Sequence, residues 1–124
     1  MKWVVDGIAG LCAALLALIG TRWLVDPAGA AQMLGMPFAE GAGRSAQIGD
    51  GGSFFLGTAL MIVVGLATRR PQLLVAGGVM IGAVAVFRVL AFAVHGAAFT
   101  PEPIVVEVVT LVSALLAARA RAAA

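Results

Sequence analysis

Charge, sulfur and hydrogen-bonding aromatics are all scarce in this chain. Only 11% of its 124 residues are charged, and it has one cysteine, one histidine, one lysine and no tyrosine. A soluble globular domain carries about twice that share of charge. The lone Cys12 excludes an intrachain disulfide and a Cys-based zinc site, and inside the first apolar run it reads as a small packing residue. One histidine and no cysteine pair leave no donor set for a transition metal, so neither a metal nor another cofactor is expected. No P-loop, no H-E-x-x-H, no G-x-G-x-x-G after a strand pattern and no Ser/His/Asp arrangement is present, and the expectation leans away from an enzyme. The net charge of +2 comes without any basic cluster interleaved with aromatics, so nucleic acid is not an expected partner.

What the chain has in abundance is apolar surface. Its residues are 62% hydrophobic and its mean hydropathy is +1.09. The apolar residues fall into four blocks, 3–25, 45–68, 73–94 and 104–118, mostly close to the ~20 residues that cross a bilayer. The last is the shortest, at ~22 Å of helix. The expectation is a single all-α domain over 1–124, a transmembrane four-helix bundle whose first partner is the lipid bilayer. Between the first two blocks "DPAGAAQMLGMPFAEGAG" predicts a short interfacial helix followed by a turn, with Met33, Leu34, Met36 and Phe38 clustered. "TRRPQ" and "HGAAFTPEP" make the other two turns. "AGA" at 28–30 resembles a small-residue cleavage site, but Arg22, Trp23 and Asp26 separate it from the apolar run, so a retained first helix is expected.

Orientation follows from the flanking cations. Lys2, Arg69, Arg70, Arg119 and Arg121 fall on one side, Arg22 and Arg44 on the other. The side richer in Lys and Arg faces the cytoplasm. The expectation is a multi-pass protein of the inner (cytoplasmic) membrane with both termini cytoplasmic.

One cation does not flank a helix. Arg88 interrupts "AVAVFRVLAFAVHG", and a charge within a membrane helix marks a functional site with a partner. Counting along the helices puts Arg88 ~12 Å below the outer end of its span, Asp50 ~9 Å and Glu107 ~8 Å below theirs. Three helices thus bring ionisable groups to one depth, and all three ionised would leave a charge of −1. One carboxyl is therefore expected to hold a proton, with His95, two turns from Arg88, able to exchange it. Gln47 and Ser53 share the Asp50 face, and Thr110 that of Glu107. The candidate ligand-binding or proton-linked residues are Asp50, Arg88, Glu107, His95, Gln47 and Arg44. The opposing reading is an ion-pair network that only fixes helix register. Asp6 reads as an interfacial partner of Arg69, Arg70 or Arg119.

Glycines support close packing. Gly78 and Gly82 have small-xxx-small spacing, while Gly49, Gly51, Gly52 and Gly57 around Asp50 would admit a neighbouring backbone or a ligand. Three stretches, "WLVDPAGAAQMLGMP", "RSAQIGDGGSFFLG" and "FRVLAFAVHGAAFTPEPIVVEVVTLV", resemble a family of small bacterial four-helix membrane proteins allied to the DoxX-like group. Arg44, Asp50, Arg88, His95 and Glu107 match its pattern, with His95 standing where an acidic residue is typical. The resemblance implies a membrane four-helix bundle and no particular reaction. Three functions fit: a membrane accessory or binding protein for a lipid-like or quinone-like ligand, a proton-coupled transporter working as a homodimer (the homo-oligomer expected among its partners), or an intramembrane enzyme acting on a lipophilic substrate.

Overall fold

A computed structural model describes all residues, Met1–Ala124. It contains five helices and no strand: α1 (Lys2–Val25), α2 (Pro27–Met33), α3 (Gly41–Thr68), α4 (Pro71–His95) and α5 (Pro101–Ala122). The four long ones are each long and apolar enough to cross a membrane. They run up and down in a closed ring, α1 against α3, α3 against α4, α4 against α5, and α5 back against α1. The expected four-helix bundle is the observed fold.

Local chemistry sets the element ends. Asp26 closes α1 and caps α2, its carboxylate accepting from the Gly29 backbone N–H at 3.1 Å, with Pro27 in the first turn. Arg69 takes a left-handed conformation (φ 56°) to end α3, and Pro71 opens α4 directly afterwards. Gly96, at φ 67°, ends α4, and the Ala97 N–H reaches back to the Ala91 carbonyl at 3.1 Å. A residue without a Cβ holds that left-handed cap without strain. Pro101 and Pro103 then start α5, which runs to Ala122. The fourth span is therefore three residues longer at its start and four longer at its end than the apolar block alone predicts.

Helix α3 departs further from expectation. It begins at Gly41 rather than Ser45, and residues Gln47–Gly52 form a π-helical segment inside it. The cause is packing. Trp23 of α1, 1% exposed, lies against this segment, and a Cβ on Gly52 would stand 3.0 Å from the Trp23 Cβ. Two of the glycines flanking Asp50, Gly51 and Gly52, thus admit an indole; Gly49 and Gly57 face open space.

The packing is inverted relative to a soluble protein. Nine of the fourteen buried apolar residues are alanine, while Leu11, Leu18, Leu60, Phe87 and Leu116 lie outside. Small residues inside and large ones outside suit helices whose surroundings are as apolar as their core. The short α2 is held by its own face: Ala30 and Ala31 are buried against Trp23, with Leu34 and Phe38 beside them. It folds back onto one end of the bundle.

Candidate functional site

The α4–α5 contact places the central pair. A Cβ on Gly78 would meet the Ala114 Cβ at 3.1 Å, and one on Gly82 would meet Leu111 at 2.7 Å. These small residues let the two helices approach closely, as their spacing predicts. Continuing in the same antiparallel register, Arg88 meets Glu107. The Arg88 Nε donates to Glu107 Oε1 at 2.7 Å, and the side chains are 31% and 7% exposed respectively. Arg88 lies ~10 Å from the end of α4 and Glu107 ~9 Å from the start of α5.

Only one oxygen of Glu107 is occupied by this bond. Oε2 is buried and has no hydrogen-bond partner. Thr110, one turn further along, does not supply one, because its hydroxyl donates to the Val106 carbonyl at 2.7 Å. A buried acceptor without a donor is costly and calls for an explanation.

The pair lines a pocket of about 250 Å³ among the helices, partly open to the outside. Helix α1 contributes Leu15, Leu16 and Ile19, and α2 and the residue after it contribute Met33 and Leu34. Phe55 comes from α3, Ile81 from α4, and Pro103 and Val106 from α5. Every helix of the fold thus meets at this cavity, and Arg88 and Glu107 are its only ionisable lining residues. The other grooves differ in lining. The one between α1 and α5, lined by Val5, Ile8, Val109 and Val112 among others, holds no ionisable group.

The remaining candidates lie elsewhere. Asp50 sits exposed on the π segment, and its carboxylate makes no ion pair or hydrogen bond; only its backbone carbonyl is engaged, by Ser53 Oγ at 3.5 Å. Asp50 therefore does not join Arg88 and Glu107. Gln47 turns away from Asp50 to hold the preceding loop: its amide donates to the Pro37 carbonyl at 2.9 Å and accepts from the Ala39 N–H at 2.9 Å. Arg44 completes this clamp, donating from Nε to the Ala39 carbonyl at 3.0 Å while its guanidinium lies 4.3 Å over the Phe38 ring. His95 is exposed at the end of α4 and bonded to nothing. The structure therefore brings together two of the six candidates, uses two as a loop clamp, and leaves two in the open. No group of three or more His, Cys, Asp or Glu side chains is gathered anywhere.

A second buried ion pair lies at the end that carries the termini. Arg121 binds both carboxylate oxygens of Asp6 at 2.8 and 3.0 Å, and also reaches the Ala117 and Leu66 carbonyls. The partner of Asp6 is thus Arg121, not Arg69, Arg70 or Arg119. Arg69 and Arg70 lie in the turn between α3 and α4 and Arg119 is exposed, whereas Arg121 lies one turn along α5 from Ala117, on the face that packs on α1.

Comparison with known protein families, curated proteins and solved structures finds no match to this chain. The site is therefore read from its own geometry. Two of its features had no signal in the sequence. Leu34 and Met33 line the pocket only because α2 folds back, and the unpaired Glu107 oxygen follows from how the side chains of all five helices meet there.

Proposed function

We propose that this protein binds a small lipophilic molecule inside its four-helix bundle. The observation that carries the reading is the partly open pocket of about 250 Å³, apolar except for the Arg88–Glu107 pair. Binding sites of this kind are mostly apolar with a few polar groups that fix orientation. A cavity of ~150 Å³ already accommodates a benzene ring. The lone ion pair in the pocket favours binding over transport, because the second carboxylate a proton-coupled pathway would use, Asp50, stands apart from it.

Native mass spectrometry of the detergent-extracted protein tests this. The wild-type chain is expected to retain a small lipophilic adduct, and Leu34→Trp, which fills the cavity from the α2 side, is expected to lose it. Adducts of equal occupancy in both would place the lipophile on the outer surface and overturn the reading.

The same proposal covers family and setting. The three sequence stretches resembling the DoxX-like group support placing the chain among small bacterial inner-membrane proteins. The five-to-two distribution of flanking cations supports both termini being cytoplasmic. A reporter active only in the cytoplasm is then active when fused after Ala124 and silent when inserted at Gly41; the reverse pattern contradicts the orientation.

A further inference from the structure

Resting on the binding reading above, the geometry points to the class of ligand: a neutral lipophilic molecule whose head group is a hydroxyl, such as an alcohol or phenol. The inference starts from charge. Arg88 and Glu107 are already paired at 2.7 Å and together are neutral. A ligand bearing a net charge would enter an apolar cavity with nothing to balance it, which is heavily disfavoured. The head group is therefore uncharged.

Hydrogen bonding narrows it further. Glu107 lines the pocket, and its Oε2, an acceptor, is buried without a partner on a side chain only 7% exposed. No neighbouring protein group donates to it, so the ligand must. Arg88 uses only its Nε toward Glu107, and no hydrogen bond from its two terminal nitrogens engages protein. These are donors, free to take an acceptor. A hydroxyl supplies both functions from one oxygen, donating to Glu107 and accepting from Arg88. A ketone or ester would leave Oε2 empty, a hydrocarbon would leave both groups empty, and a carboxylate would meet Oε2 as a like charge. Sites built around a hydrogen-bonding group discriminate strongly against analogues that leave buried polar atoms unpaired.

The structure also supplies the reporter. Trp23 packs against Ile19, Leu34 and Phe55, all three of which line the cavity. Trp3, the other tryptophan, is 78% exposed at the opposite end of α1 and is removed by Trp3→Phe. Quenching of Trp23 emission by brominated aromatics then reports occupancy. In the Trp3→Phe protein, 4-bromophenol is expected to quench saturably, with at least about tenfold tighter binding than bromobenzene or 4-bromobenzoate. That margin is what a hydrogen bond to a charged acceptor provides. Adding Glu107→Gln puts a donor amide within reach of the same place, so the preference should turn from 4-bromophenol toward 4-bromoacetophenone. Equal binding of bromobenzene and 4-bromophenol would overturn the hydroxyl assignment while leaving a lipophile-binding cavity intact. Saturable quenching by none of the four would overturn both. The comparison among ligands in the Trp3→Phe protein decides the matter even if the Glu107 variant does not fold.

Discussion

Arg88 and Glu107 differ from every other charged residue in the loop-side half of the bundle, because each would be stranded without the other. Glu107 is almost wholly buried and its only hydrogen bond comes from Arg88. Removing one member of such a pair leaves an uncompensated buried charge, which typically costs about 3–5 kcal/mol. Arg88→Met is therefore expected to lower the thermal midpoint in detergent substantially. Asp50→Asn removes an exposed carboxylate with no partner and is expected to change stability by no more than about 0.5 kcal/mol. Comparable losses in both variants would mean that Asp50 does take part in the pair, against the geometry described above. At this scale the sequence was partly legible. An arginine inside an apolar run demands a partner whatever the fold, and Glu107 was among the candidates. Asp50 was not separable from it by counting residues, since its depth is similar.

At the level of the element, the π segment in α3 follows from fitting Trp23 against Gly51 and Gly52. Hydrophobic periodicity does not reveal it, because the apolar residues of α3 lie mostly after the segment, and the Gln47–Asp50–Ser53 spacing reads as an unbroken α-helical face. Helix number and approximate limits, by contrast, follow from length and composition alone, and Pro27, Pro71 and Pro101 mark starts that the structure retains. Glycine is where the element scale makes its sharpest prediction. A Cβ on Gly20 of α1 would stand 2.7 Å from the Leu56 backbone nitrogen of α3, and backbone cannot step aside as a side chain does. Gly20→Ala is expected to cost about 1–3 kcal/mol by forcing α1 and α3 apart. Gly57→Ala, one residue along from Leu56, meets nothing within 4 Å. It is expected to stabilise by about 0.5–1 kcal/mol through helix propensity alone. Melting curves of the two variants in one detergent should move in opposite directions; a shared direction would contradict the described α1–α3 crossing.

Across the whole molecule, charge and packing each follow a simple gradient. The end with both termini carries Lys2, Arg69, Arg70 and Arg119 free of ion pairs, with Arg121 neutralised by Asp6. Toward the loop end Arg44 stands against Glu40, Asp50 and Glu102, and Arg22 is paired with Asp26. Alanine fills the core and leucine, valine and phenylalanine face outward. Both gradients suit a protein in a bilayer; the charge gradient is visible in the sequence once the four spans are drawn, while the packing gradient needs the fold. The cavity is not. It arises where α2 closes over the bundle, and no local pattern in "PAGAAQM" announces which way that helix folds. The claim that this cavity is the functional centre has one direct measurement. Crystals of the protein grown from lipid and soaked with 4-bromophenol locate bromine by its anomalous scattering. The expected result is one dominant bromine site among Leu16, Leu34, Phe55 and Ile81, with the phenol oxygen in hydrogen-bonding reach of Glu107. Bromine found only in outer grooves, such as that lined by Val5, Ile8 and Val109, would contradict the account and leave Arg88 and Glu107 as a structural pair.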